Sequence, residues 1–222
     1  MPDWNDPDTV AFFRDRDPDA RLVRLLETDD VPAGTQVLDL GCAAGRNAVR
    51  LAAHGHPGVA IDASPAMVET TRQRLEAFAA TAPWRVLHRP MDALDDLEDG
   101  RFGLLLALGV LQNAACDDEF ERVLAHLARL AAPGARLLVA NFGPDSRPLG
   151  TPLRHVPGTR YVWTGFNADD PGRHLTLPDA VALDALARVH GFDPVTATYT
   201  VQKPTEAGMR TTVNADYCRR EG

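Results

Sequence analysis

Basic charge is scarce in this chain. Its 222 residues carry 23 Lys and Arg against 31 Asp and Glu, a formal net charge of −8. A nucleic-acid enzyme would be expected to show a basic footprint, so no nucleic-acid partner is expected. Lys203 is the only lysine, which reads as a compositional bias of the genome, not as function. Cysteine is equally sparse: Cys42, Cys116 and Cys218 form no CxxC pair, so neither a disulfide framework nor a zinc site is expected. His54 and His56 lack a third ligand, and no metal is expected. No apolar run approaches the ~20 residues that span a bilayer, and no membrane partner is expected. The start, Met1-Pro2-Asp3-Trp4-Asn5-Asp6, is acidic and lacks an apolar h-region, so no secretory signal is expected and the cytoplasm is the natural compartment.

What is present suits one α/β domain over residues 1–222, with 45% hydrophobic residues to bury and 24% charged residues to hold it in water. Residues 8–28 read as one helix carrying Phe12, Phe13, Leu22, Leu25 and Leu26. Apolar runs at 36–40, 59–61, 84–88, 102–108 and 136–141 read as strands. Helices are expected between them at 46–53, 65–80 and from Asp117 to Pro133-Gly134, and again at 178–190. Ser64 stands at an N-cap position with Pro65 at the first helical position. Alternation at 195–202 and 209–218 predicts a closing hairpin. Strands alternating with helices imply a parallel sheet, with ligands at the carboxyl ends of its strands. Residues 142–176 are irregular apart from a short strand expected at 161–163.

The chemistry concentrates at Val37-Leu38-Asp39-Leu40-Gly41-Cys42-Ala43-Ala44-Gly45-Arg46-Asn47, a strand running through small residues into a helix. Small residues admit a ligand close to the backbone, and the helix N-terminus offers N–H groups to a carboxylate. Asp62 ends the next strand 21 residues after Gly41, where an acid can take both ribose hydroxyls. Dinucleotides and S-adenosylmethionine both suit this layout. The dinucleotide fingerprint needs glycine where Ala43 and Arg46 stand, so a nicotinamide oxidoreductase is a poor match.

Residues 37–45 resemble motif I of the class I S-adenosylmethionine-dependent methyltransferases, and Ala60–Met67 resembles their post-I segment. Met91-Asp92-Ala93 is similar to the adenine-reading segment, and 102–113 to the fourth strand and its exit. Gly45–Ala48 with His54-Gly55-His56 resembles the tellurite-resistance-like small-molecule branch. The resemblance implies a three-layer, Rossmann-like, doubly wound sheet of seven strands, mostly parallel with an antiparallel closing hairpin. It implies S-adenosyl-L-methionine as cofactor, with Asp39 and the turn of Gly41, Cys42, Ala43 and Gly45 holding its methionine moiety. Asp62 takes the ribose hydroxyls, Ala63 and Met67 pack on adenine, Met91, Asp92 and Ala93 read its edge, and Leu108 faces the amino group.

The expected reaction is in-line methyl transfer to O, N or S of a small molecule, by a monomer or homodimer. Alternatives are cyclisation, aminocarboxypropyl transfer, or a non-catalytic binding subunit. Around the acceptor we expect Trp4, Phe13, Arg14, Asn113, Asn141 and Trp163, beneath an N-terminal helical lid (1–30) and a substrate-side insert (142–176). Gln112 and Asn113 stand where many relatives of the family carry histidine, leaving His155, Gln112 and Asn113 as catalytic candidates.

Overall fold

A computed structural model describes residues 3–221. The first two residues of the expected lid, and Gly222, lie outside this range. In chain order the elements are α1 (Pro7–Arg14), α2 (Ala20–Glu27), β1 (Val37–Leu40), α3 (Arg46–Ala53), β2 (Gly58–Asp62), α4 (Pro65–Leu75), β3 (Trp84–His88), β4 (Phe102–Leu108), α5 (Asp117–Leu130) and β5 (Ala131–Phe142). Then come β6 (Arg147–Pro148), β7 (Arg154–His155), β8 (Val162–Thr164), β9 (Leu175–Thr176), α6 (Ala180–Val189), β10 (Phe192–Pro194), β11 (Tyr199–Thr205) and β12 (Gly208–Arg219).

The main sheet runs β10-β12-β5-β4-β1-β2-β3. β1 through β5 pair in parallel, and β12 is antiparallel to β5 and β10. This is the expected doubly wound sheet with an antiparallel edge. It is larger than expected, because β6 and β10 also pair with β12 and bring the sheet to nine strands. The expected hairpin is offset: β11 begins at Tyr199, and Phe192–Pro194 forms a separate strand farther along the same strand β12.

Successive β4 residues point to opposite faces, and both faces are covered. Leu105 and Ala107 join the cluster under α5 and α6, which includes Phe120, Leu127, Leu183 and Tyr217. Leu104 and Leu106 join Leu22, Leu25 and Leu26 of α2 and Leu51 of α3. Each fully buried leucine of this kind contributes about 1.5–3 kcal/mol relative to exposure.

The expected helix 8–28 is two helices. Pro18 disfavours helical backbone at Asp17, Asp15 caps the end of α1, and the Asp19 carboxylate accepts from Arg21 N–H to start α2. Only α2 contributes to the core, and α1 has no buried residue. The insert is more ordered than expected: β7, β8 and β9 form a small antiparallel sheet over Leu153, Leu175 and Leu177.

Candidate functional site

The carboxyl ends of β1, β2, β4 and β5 meet at one rim. From β1 the chain enters the turn Gly41–Gly45, where the Gly41 and Cys42 N–H groups donate to Ile61 O at 2.8 and 2.9 Å. Gly41, Ala43 and Gly45 all adopt left-handed backbone, with φ of 72°, 47° and 77°. Side chains of the protein itself also demand the two glycines. A Cβ at Gly41 would lie 2.5 Å from Val110 Cβ, and one at Gly45 would lie 2.9 Å from Thr71 Cγ2. Helix α4 grips the turn from outside: Thr71 Oγ1 donates to Ala43 O (2.7 Å) and Arg74 to Ala44 O (2.5 Å). Gly45 at the N-cap of α3 makes no side-chain cap bond, and Asn47 of that helix accepts from Asp19 N–H at 2.9 Å.

Two carboxylates flank this turn. Asp39 is 1% exposed, and its Oδ2 has no hydrogen-bond partner among the described residues. Burial pushes its pKa up to about 7, against the pull of Arg46 and the Ala48 N–H, and the nearby Asp62 adds to the rise. Asp62 joins the end of β2 to the turn: Oδ2 accepts from Ala43 N–H and Oδ1 from Ser64 N–H, each at 2.9 Å. Burial raises its pKa too, opposed by the N–H groups of Ser64, Ala43 and Ala63. Each carboxylate oxygen keeps a second lone pair, so Asp62 can also accept from hydroxyls. An unpartnered buried carboxylate oxygen beside a left-handed small-residue turn suits the ammonium and carboxylate of an amino acid moiety.

Ser64 caps α4 as expected, with its Oγ accepting from Met67 N–H at 3.2 Å. Of the adenine-side residues, Ala63 is exposed at the rim, while Met67 and Met91 are buried. Asp92 is half-buried and lies 3.8 Å from the Arg122 guanidinium. Ala93 N–H is taken by a local turn to Pro90 O (3.3 Å). Leu108 ends β4 opposite Ala140.

At the ends of β4 and β5 stand three amides. Gln112 donates to Gly109 O (2.6 Å), Asn113 to Val110 O (3.0 Å) and Asn141 to Thr176 O (3.2 Å). Their oxygens Oε1, Oδ1 and Oδ1 are buried without partners among the described residues. His155 is exposed on β7, edge-on to Trp163 at 5.0 Å and 3.4 Å from Arg160 O. Trp4 packs against Phe13 with ring centroids 5.1 Å apart and planes tilted by 48°, and the Trp4 carbonyl accepts from Ser64 Oγ at 2.9 Å, which seats the N-terminal segment over the start of α4. Phe12 is 56% exposed. Arg14 is exposed and paired with Asp15 at 2.8 Å.

The residues that support the turn from elsewhere, Thr71 and Arg74, are not singled out by any motif. The only sequence signal for Thr71 is a polar residue on the otherwise apolar face of α4 beside Met67, Val68 and Leu75.

Residues 37–134 match the family model of a methyltransferase domain. The chain is 27% identical over 192 residues to a ubiquinone biosynthesis O-methyltransferase of Caulobacter vibrioides, covering 82% of this chain and 73% of that one. Its fold is similar to an S-adenosylmethionine-dependent methyltransferase of Methanosarcina mazei, with TM-score 0.71 and 14% identity over 93% of this chain and 100% of that one. It is also similar to a Burkholderia thailandensis 1,6-didemethyltoxoflavin-N1-methyltransferase solved with S-adenosylhomocysteine, with TM-score 0.64 and 22% identity over 91% of this chain and 78% of that one. With the glycine turn, the paired carboxylates and the sheet order in place, residues 37–134 form a methyltransferase domain of the class I, S-adenosylmethionine-dependent kind.

Proposed function

We propose that this enzyme transfers a methyl group to an oxygen or nitrogen of a small-molecule acceptor. The observation that carries the reading is the unpartnered Asp39 Oδ2 beside the left-handed Gly41–Gly45 turn, with Asp62 across from it. S-adenosylmethionine, when bound, supplies an electrophilic sulfonium methyl group. Asp39 faces its ammonium, the turn and the first turn of α3 receive its carboxylate, and Asp62 accepts from its ribose hydroxyls. Met67 and Asp92 bound the adenine side.

The acceptor is received by Gln112, Asn113 and Asn141, whose free amide oxygens match N–H or O–H donors better than a thiolate. Neutral amides do not take up a proton near neutral pH, so they orient the nucleophile and do not act as its base. Catalysis then rests on positioning, which can supply roughly 7–11 kcal/mol of the barrier. The N-terminal segment and the 142–176 insert act as covers that exclude water.

Calorimetry tests the cofactor half: S-adenosylhomocysteine is expected to bind and NAD to bind weakly or not at all, and the reverse result would overturn the reading. Mass spectrometry of acceptor panels tests the other half, with a gain of one methyl group per acceptor as the expected product.

A further inference from the structure

The N-terminal segment is tied to the rest of the chain at the starts of two helices, α4 and α3, which flank the cofactor turn. The first tie is Ser64, the N-cap of α4. Its N–H donates to Asp62 Oδ1 at 2.9 Å, and its hydroxyl donates to the Trp4 carbonyl, also at 2.9 Å. The Asn5 side-chain oxygen, 2.9 Å from the same hydroxyl, is an alternative acceptor for that proton. Ser64 is 5% exposed, so it is shielded from water while it faces both the ribose carboxylate and the segment. The second tie lies at the start of α3. Arg46 donates to Asp17 O at 3.0 Å, and Asn47 Oδ1 accepts from Asp19 N–H at 2.9 Å.

Between the ties the segment is held weakly. Helix α1 packs on α4 but buries no side chain. Asp15, Arg16 and Asp17 are exposed and, with Arg46, line an open cleft of about 490 Å³. The two ends differ in what holds them. Past Asp19 the chain enters α2, where Leu22 is fully buried and Arg21 donates to Val139 O and Ala215 O at 2.8 and 3.0 Å. That end cannot leave without opening the core. At the other end, the only hydrogen bonds among the described residues from 3–15 to the rest of the chain are those of the Ser64 hydroxyl. A tie of one proton opens far more readily than a packed helix.

We propose that residues 4–16 form a strap that swings from the Asp17–Asp19 anchor and is latched by Ser64, and that bound cofactor holds the latch shut. A ribose hydroxyl on Asp62 fixes the carboxylate that accepts from Ser64 N–H, and Ser64 in turn holds the strap. The coupling is reciprocal, so the closed strap slows release of the cofactor. Ser64 is a positioning residue here, acting through Asp62 and the strap. This rests on the ribose role given to Asp62 in the methyl-transfer reading, and it adds that cofactor binding and closure support each other.

The test uses the full chain with S-adenosylhomocysteine as the probe. Trypsin cuts after Arg14 and Arg16 when the strap leaves the surface and opens locally. Saturating S-adenosylhomocysteine should slow both cuts about five-fold or more, the weight of one ordinary hydrogen bond. Ser64→Ala should lose most of that protection, and its release of S-adenosylhomocysteine in stopped flow should quicken about five-fold, with association no slower. Ser64 also caps α4, and a second variant separates the two roles. Deleting residues 1–5 leaves the cap on Met67 N–H in place and should quicken release to a similar extent. Equal cutting of the parent with and without S-adenosylhomocysteine, or parental release rates kept in either variant, would overturn the proposal. Failure of the parent to bind S-adenosylhomocysteine would strike at the methyl-transfer reading instead. Cutting of the ligand-free chains then decides the latch separately: faster cuts in Ser64→Ala than in the parent support it, and equal rates overturn it.

Discussion

Thr71 Oγ1 donates across 2.7 Å to the carbonyl oxygen of Ala43, the residue of the cofactor turn that adopts left-handed backbone without being glycine. The turn is therefore held open from the side of α4, by a residue 28 positions away in sequence. Thr71→Val keeps the shape and removes the donor. We expect a loss of about 1–2 kcal/mol in urea unfolding, the cost of one buried acceptor left unmet, with several-fold weaker S-adenosylhomocysteine binding. An unchanged unfolding midpoint would show that the bond does not matter.

Ala43→Gly should move stability the other way. A Cβ at φ 47° is strained by an amount that exceeds the added flexibility of glycine in the unfolded chain, leaving a net gain of about 0.5–1 kcal/mol. Thermal unfolding of the single variant measures it, and a lower melting temperature would contradict the assignment of strain.

Asp39 makes stability depend on pH. Its pKa is raised to about 7 in the fold, against 3.8 ordinarily. Between these values the folded chain holds a proton that the unfolded chain has released. Stability without ligand should thus fall as pH rises from about 4 to about 7, by roughly 2–4 kcal/mol, and level off above. Asp39→Asn should match the parent near pH 4 and exceed it in stability near pH 8, while binding S-adenosylhomocysteine less tightly. Parallel pH profiles for the two proteins would refute the raised pKa.

Asp62→Ala should weaken S-adenosylhomocysteine binding by about 1–3 kcal/mol. It should also lower the melting temperature, since the Ala43 and Ser64 N–H groups lose their acceptor. Affinity unchanged in a folded variant would remove Asp62 from the ribose role.

Deleting residues 1–14 should separate stability from activity. Helix α1 buries no side chain and holds on through the Trp4–Phe13 ring contact and the Ser64 bond to the Trp4 carbonyl. We expect an unfolding change under about 1 kcal/mol, the scale of surface contacts, with methyl transfer reduced at least ten-fold. Full turnover in the shortened chain would leave the 142–176 insert as the cover.

The layered sheet could be read from the sequence because strands buried on both faces, such as Phe102–Leu108, are apolar throughout, and because Ser64-Pro65 and Gly191 mark helix ends by local chemistry. The position of Asp62 at the end of β2 was legible from the apolar run before it. The break between α1 and α2 was not, since Phe12, Phe13 and Leu22 disguise the stop that Pro18 imposes. That break moves Arg16 into the connection and leaves Arg14 to its neighbour Asp15. Thr71 and Arg74 act through partners that only tertiary packing supplies, so no spacing rule could select them.

The placement of β12 bears on synthesis. It follows β10 in the chain yet lies between β10 and β5 in the sheet. A nascent chain that has emerged as far as β10 therefore carries an open slot, with the backbone groups along one side of β5 unpaired. Such an edge invites pairing with another chain. That edge stays open until β12 has left the ribosome, and a chain truncated between residues 195 and 207 would carry it permanently.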